Sequence, residues 1–582
     1  MTSTRTRKVY PERTGRIVVS AILSLIRMRT VALRALALVA YLWFCFSWFD
    51  HDFDVFLATT PAWIPALILL GAAVATWRPR FETDDAIALG FAALALALRL
   101  PFLWGAYGLF SSDASAQGLM ALHILEGEHH PIFLYNWSYI GSLKAHLTAL
   151  IAAIFGEPVV SFAAAAAINY AIFTAAVYRL ARTVVPRAEA SVAAAYVIVA
   201  PGFLTAWGMG NEGNYVDVML LGTLMLAIAA RWMQGDGAGF SEAFWIGVLG
   251  GLAFWTHILA TYYLLTAIGV LALHRFGRDG LVRLASFAGG FIVGDFPGFL
   301  WNVSHEWLSF RWWTLDAETV ESVDRVGRTL TQLEQVATTS LSVLSGYWPH
   351  DAPPWPAPFW HVALGLLIPA VFLFFAWRHR RALSLIPPSP EAMLLGFAVL
   401  VVLVFAQSSS GWMTDEPRYL LFLFSVVPIF LGSAAIALWN RSRLLASVAL
   451  LSLLFVNLRG DIAYLQAALE SDSVNREFIA ELEELDIRYV RSDYHLSYKY
   501  VFLSHGRMVW TSELGPAQTE WYFPFRDQVA KAEEVALVPR SFRFARRIRR
   551  RLDARGIRYR QERLLYPVLY DFSEPVPLSF LR

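Results

Sequence analysis

The chain has 582 residues, 57% hydrophobic and 16% charged, with 22 Trp and 41 Phe and a mean hydropathy of +0.48, a composition that excludes a soluble domain. The formal net charge of +2 and the lack of a basic, aromatic-bearing module exclude nucleic acid as a partner and leave lipids and lipid-borne molecules. The one cysteine, Cys45, excludes an intrachain disulfide. Arg far outnumbers Lys and Ala is abundant, a bias of GC-rich bacterial genomes, so the expected location is a bacterial plasma membrane.

Residues 1–29 carry Arg5, Arg7, Lys8, Arg13 and Arg16 ahead of any long apolar run and read as a cytoplasmic tail. A first span over Thr30–Phe49 is too long for a signal core and lacks a small-residue cleavage site, so it is expected to stay attached. Acidic DHDFD follows at 50–54, then a second span over Thr59–Trp77, then Arg78 and Arg80. Basic flanks inside and acidic flanks outside set the orientation, and a third span, Ala86–Trp104, leaves the membrane outward. Further spans are predicted near 158–178, 190–206, 216–232, 243–256, 258–273, 284–300, 361–377, 391–407, 419–438 and 444–458, about thirteen in all. Every turn that this order makes cytoplasmic is basic, such as Arg275, Arg278 and Arg283, or Arg378, Arg380 and Arg381. The fold class predicted is a mainly α, polytopic membrane protein: a transmembrane domain over 30–459 with outer loops at 105–157 and 301–360, then a small extracytoplasmic α/β domain over 460–582.

The 301–360 loop holds a helical half and the Pro-rich run YWPHDAPPWPAPFW, and reads as a lid. After Leu458 helical patterns at Val474–Leu485, Phe525–Glu533 and Ser541–Ala554 alternate with strand-like runs at Ile487–Val490, Met508–Thr511, Glu534–Val538, Ile557–Tyr559 and Leu564–Tyr570. The run RRIRRRLDARGIRYR lies too far from any span to count in the orientation rule. It reads as the solvated face of an amphipathic helix or as a contact for anionic headgroups or a polyanionic acceptor.

Chemistry is sought in Ser111–Gly156, where acid, His, Tyr, Asn, Trp and a rare Lys crowd beside a span exit. Asp113 there is either a general base for an acceptor hydroxyl, its pKa tunable by burial, or the N-cap of the helix that follows. Glu212, in GMGNEGNYVD, is a second acid that would orient an acceptor, bind a divalent ion or sit solvated. His257 is a substrate contact or a hydrogen-bonded histidine at a helix turn. His129 beside His130 and Glu128 lacks the spacing of a defined ligand set. The sequence assigns no cofactor, and a divalent cation, with Glu212 and His129 as the candidate ligands, is left open.

Residues 108–156 resemble the first outer loop of the GT-C superfamily of integral-membrane glycosyltransferases, specifically the PMT-like and RgtA/B/C/D-like bacterial families, relatives of the protein O-mannosyltransferases and lipid A aminoarabinose transferases. The matching features are Asp113 just past a span, the helix QGLMALHILEG and the run HPIFLYNWSYIGSLKAHLTALIAAIFG. EPRYLLF at 416–422 and the tail EELDIRYVRSDYHLSYKYVFLS add to these. The chain departs from the family in carrying the loop after its third span and in having Asn136-Trp137 at the aromatic-Gly position. The resemblance implies an inverting glycosyltransferase in which Asp113 deprotonates a glycan, lipid or protein acceptor and the donor is a polyprenyl-phosphate sugar. The leaving phosphate needs a cation. Arg418 and Tyr419, in the family's Pro-Arg-Tyr pattern, are the first candidates, with Lys144 and Arg311 behind them. Arg418 alternatively anchors the interface, and Lys144 alternatively snorkels. The rival classes are a transporter or flippase of lipid-linked sugars, whose charges would sit inside the spans, and a membrane scaffold with a partner-binding tail.

Overall fold

A computed structural model describes residues 32–53, 60–76, 82–210, 212–235, 239–274, 278–311, 325–348, 356, 360–514 and 519–576. The Pro-rich run and the middle of the expected lid lie largely outside these residues. The chain forms two compact units, Met1–Phe81 and Glu82–Arg582. In the first are α1 (Ala32–Trp48) and α2 (Trp63–Thr76).

The second unit opens with α3 (Thr83–Arg99), which runs into a 3-10 turn at Leu100–Gly108. There follow α4 (Ser112–Glu126), α5 (Leu143–Phe155), α6 (Pro158–Val184), α7 (Arg187–Ile198), α8 (Gly202–Gly210), α9 (Tyr215–Met233) and α10 (Phe240–Thr256). Next come α11 (Thr261–Leu273), α12 (Arg278–Gly294), α13 (Phe296–Ser304), α14 (Arg325–Gln335), α15 (Trp360–Arg378), α16 (Pro390–Gln407), α17 (Val427–Arg441) and α18 (Arg443–Glu484). The protein is a multi-pass membrane protein. Among the described residues six helices are long and apolar enough to cross a membrane, or up to nine if each of three bent pairs is one span, and four shorter apolar helices accompany them.

The bends were not expected. The 190–206 window is α7 and α8 at 64°, the 284–300 window is α12 and α13 at 76°, and the 419–438 window is a 3-10 segment, Arg418–Ser425, and α17 at 52°. Each break lies beside a proline, Pro201, Pro297 or Pro428, which removes an amide donor and forbids a continuous ladder. Helices α10 and α12 meet backbone to backbone through Gly247 and Gly251 on one and Gly290 and Gly294 on the other; a Cβ at any of these would lie 2.0–2.1 Å from a facing carbonyl oxygen. Small residues spaced by four are what such an approach requires.

Helix α18 runs across the expected boundary at 459/460. Its 42 residues run unbroken past residue 460, from apolar Leu444 to Glu484, about 63 Å against a hydrocarbon core of about 30 Å. Loss of hydropathy there marks the end of an apolar face rather than the end of a helix. The tail continues as β1 (Tyr489–Arg491), α19 (Tyr494–Leu503), β2 (Val509–Thr511), α20 (Phe523–Lys531), β3 (Ala536–Leu537), α21 (Phe542–Ala554), β4 (Arg560–Arg563) and β5 (Pro567–Tyr570). The sheet order is β2-β1-β3-β5-β4, with β1 parallel to β2 and β3, and β5 antiparallel to β3 and β4. The run Ile557–Tyr559 is not a strand: Ile557 is buried against Leu552 and Leu569. Strand β4 follows it, exposed at every position, with no alternation to read.

Candidate active site

The first turn of α4 is set by Ser111, whose Oγ accepts from Ala114 N at 3.3 Å while its backbone stays extended. Ser111 is therefore the N-cap, and Asp113 lies at the second helical position, half-buried. A carboxylate there gains from the helix dipole. The Tyr494 hydroxyl donates to Asp113 Oδ1, and Ser112 Oγ donates to the Tyr494 carbonyl at 2.5 Å. Burial, then the charge of Asp113, pushes the Tyr494 phenol far above its ordinary range, so it remains a donor at working pH. Gly118 makes the docking possible, since a Cβ there would lie 2.5 Å from the Phe502 ring of α19.

Three loops meet beside this helix end. Gly141 N donates to Thr256 O at 3.1 Å, Ile258 N to Tyr139 O at 3.2 Å, and Ile140 bridges His257. Asn214 Nδ2 donates to both Gly141 O at 3.0 Å and Thr256 O at 3.3 Å. Gly213 and Asn214 both hold positive φ, 65° and 55°, a costly arrangement for Asn that these two bonds hold in place. Glu212 precedes these two residues, and Ser111, Asp113, Arg418 and Glu416 lie close enough to act on its carboxyl. Arg418 lies over the rings of Trp207 and Tyr419 at 5.3 and 5.4 Å. Its Nε is buried and has no hydrogen-bond partner among the described residues, so a donor is left for an anion. His257, buried, accepts from Leu259 N through Nδ1 at 3.1 Å and lies within reach of the Arg418 charge.

A chain of aromatic rings joins the two ends of this site. Trp207 and Tyr215 are 5.7 Å apart, Tyr215 and His257 5.6 Å, and His257 and Tyr139 5.6 Å. Tyr139 and Trp137 are 5.4 Å apart, Trp137 and Trp521 5.5 Å, and Trp521 and Tyr494 4.7 Å. Such faces suit sugar C–H groups and apolar chains. The arrangement offers two carboxylates, Asp113 and Glu212, and a cation, Arg418, with an unpartnered donor.

The structure thus brings together Asp113, Glu212, Arg418, Tyr419 and His257. It employs Lys144 elsewhere: that ammonium is 1% exposed and paired with Asp217 at 2.7 Å, and Asn169 donates to the same carboxylate. Its charge is taken up in this buried pair and not turned toward Arg418 or Asp113 in any contact among the described residues. Arg311 pairs with exposed Glu306 at 2.9 Å. His129 packs near His123 and Tyr522, 5.7 and 6.3 Å between ring centres. Among the described residues no group of three or more His, Cys, Asp or Glu is disposed to hold a metal ion. Tyr494 and Ser111 were not foreseen; Asp493 before Tyr494, capping α19 by accepting from His495 N, was the available signal.

No protein-family model matches the sequence, and no curated protein does. Solved structures do match. ArnT from Cupriavidus metallidurans bound to undecaprenyl phosphate superposes with a TM-score of 0.55 at 14% identity, covering 84% of this chain and 98% of that one. ArnT in the apo state gives 0.56 at 14% identity over 83% and 98%. The archaeal oligosaccharyltransferase AglB from Archaeoglobus fulgidus, in complex with an inhibitory peptide and a dolichol-phosphate, gives 0.44 at 13% over 84% and 75%. The chain shares the fold of these ArnT structures. Within that fold Asp113 follows α3 and its 3-10 turn, and Arg418 opens the segment before α17.

Proposed function

We propose that this protein is an inverting glycosyltransferase that moves a sugar from a polyprenyl-phosphate donor to an acceptor hydroxyl on the extracytoplasmic face of a plasma membrane. The observation that carries the reading is that Asp113, at the start of α4, and Arg418 both lie within electrostatic reach of Glu212. The fold shared with ArnT, whose structure binds undecaprenyl phosphate, supports the donor class, and the basic turns on the opposite side support the orientation.

In this mechanism the acceptor oxygen attacks the anomeric carbon as the bond from that carbon to the phosphate oxygen breaks. The hydroxyl proton passes to Asp113, and the polyprenyl phosphate departs with the electron pair. Tyr494 holds Oδ1 of Asp113, leaving Oδ2 for the acceptor. Arg418 supplies its buried Nε–H to the charge that grows on the phosphate. Glu212 orients the acceptor from the other side. The buried Lys144–Asp217 pair, the feature a transporter would share, is closed by Asn169 and serves packing.

Asp113→Asn tests the reading. With Ser111 as cap, the variant keeps α4 and its thermal midpoint in detergent, still binds the lipid-linked donor, and loses on the order of 10²–10⁴ in transfer. A host lacking the chain, complemented with either form, is then compared for its glycans, glycolipids and glycoproteins. Transfer within a few-fold of the parent would remove Asp113 as the base and move the search to Glu212.

A further inference from the structure

Between positions 540 and 563 the chain has eleven arginines and two acids, Asp553 and Glu562. These 24 residues therefore hold +9 of formal charge, against −7 in all the rest of a chain whose net is +2. Nine of the arginines are exposed: 540, 543, 546, 547, 550, 555, 558, 560 and 563. They span α21 and the edge strand β4, which Arg549 joins by donating to Gln561 Oε1 at 2.8 Å. Arg560 pairs with Asp571 at 3.0 Å. Among the described residues Arg543, Arg546, Arg547 and Arg550 have no carboxylate at ion-pair distance. So many like charges on a short helix repel one another, and the cost is relieved when an anion covers them.

The direction of this face decides what the anion is. Helix α21 has one apolar stripe, Ala545, Ile548 and Leu552, and it is already buried, the last two against Leu537 and Leu569 of the sheet. Beyond that stripe the only large apolar side chain α21 exposes is Phe542 at its first position, and a single ring is not the apolar face by which amphipathic helices hold lipid. In the sheet, Trp510 pairs with Val490 and Val490 with Ala536, so these three share a face and Leu537 lies on the other. The Trp510 face takes Tyr500 of α19 at 5.1 Å and Phe478 of α18 at 6.5 Å, and α19 is the helix that docks on α4. The arginines therefore stand behind the Leu537 face, across the sheet from the helices that join the tail to the membrane domain.

We infer that the arginine face of α21 and β4 is a docking surface for a polyanionic glycan, a polymer bearing phosphate or carboxylate groups, that is the acceptor of the transfer. The word acceptor rests on the function proposed above; the surface and its anionic ligand do not. Several guanidinium groups engaging a repeating polymer give avidity without a pocket, and such contacts weaken steeply with salt. A ligand held at the tail raises the local concentration of acceptor hydroxyls near Asp113.

The experiment uses the full chain in detergent, with dextran sulfate, neutral dextran of equal length and phosphatidylglycerol vesicles as probes. The parent is expected to bind dextran sulfate in a salt-sensitive manner and to ignore dextran. The triple variant R546Q/R547Q/R550Q should bind at least tenfold more weakly at an unchanged thermal midpoint, R546K/R547K/R550K should recover most of the loss, and Asp113→Asn should bind like the parent. Equal binding by the Gln variant overturns the inference. So does weakened attachment to the vesicles with dextran sulfate binding intact, which would make this a lipid surface. In complemented hosts the Gln variant should lose modification of anionic envelope glycans in particular; a glycan profile unchanged by Asp113→Asn instead sinks the transferase reading and leaves the polymer-binding result to be judged alone.

Discussion

Tyr494, the first residue of a tail helix, donates its hydroxyl hydrogen bond to Oδ1 of Asp113, a residue 381 positions earlier that opens the helix after the third predicted span. The tail thus supplies part of the candidate site.

Removing that donor should leave the base present but poorly held. Tyr494→Phe keeps the ring against Trp521 and loses only the hydroxyl, so transfer should fall about tenfold, on the scale of one hydrogen bond to a charged group. KM for the donor should not move. Equal loss in kcat and in donor binding would argue that Tyr494 touches the lipid phosphate instead.

Arg418→Gln removes the charge and the unpartnered Nε while keeping most of the side chain over Trp207. Donor binding should weaken by about tenfold or more, with the thermal midpoint little changed, because the lost contacts are with ligand rather than with protein. Isothermal titration with a polyprenyl phosphate reads the first quantity. A large drop in midpoint with unaltered titration would assign Arg418 to structure.

Lys144→Met should behave in the opposite way. It strands the Asp217 carboxylate in a buried setting, at a cost of about 3–5 kcal/mol, and should lower the thermal midpoint sharply without altering donor affinity in the protein that remains folded. Combining it with Asp217→Asn should restore much of the stability, since the charge and its partner are removed together.

Acidification should loosen the contact between α4 and the tail. His123 of α4 bonds the Tyr135 hydroxyl at 2.5 Å and packs 4.9 Å from Tyr522; burial first, then neighbouring His129, pushes its pKa from 6.5 to about 4. The unfolded chain binds the proton near pH 6.5 and the folded one does not, so this stabilisation is full above 6.5 and drains away as pH falls toward 4, about 3 kcal/mol at most. Midpoints measured from pH 7.5 to 4.5 should decline in the parent and decline less in His123→Gln. Parallel curves would mean that His123 is not the group responsible.

Much of this was legible in the chain. Asp113, Glu212 and Arg418 converge because each lies at a predicted loop on one side of the membrane, and alternating spans bring such loops together whatever their separation in sequence. The tail strands were readable where apolar residues cluster, as at Val509–Thr511, and not at β4, where Arg560–Arg563 shows no apolar position. Helix α19 escaped notice because Tyr494, Tyr498, Tyr500 and Val501 favour strands by intrinsic preference, and its α4 contact determines its state. Asp217 escaped because nothing local marks a carboxylate whose partner is 73 residues away. The sequence leaves open whether Asp113 is the cap because SSDAS offers several capping residues within one turn.

Helix α18 passes from apolar Leu444 to Glu484 without a joint, and near its far end Asn475 Nδ2 holds the Tyr107 carbonyl at 2.8 Å while its Oδ1 receives the Tyr500 hydroxyl at 2.9 Å. The tail is consequently mounted on a rigid mast rather than hung from a tether. One continuous element thereby links the apolar stretch that begins at Leu444 to α19 and to the hydroxyl bonded to Asp113.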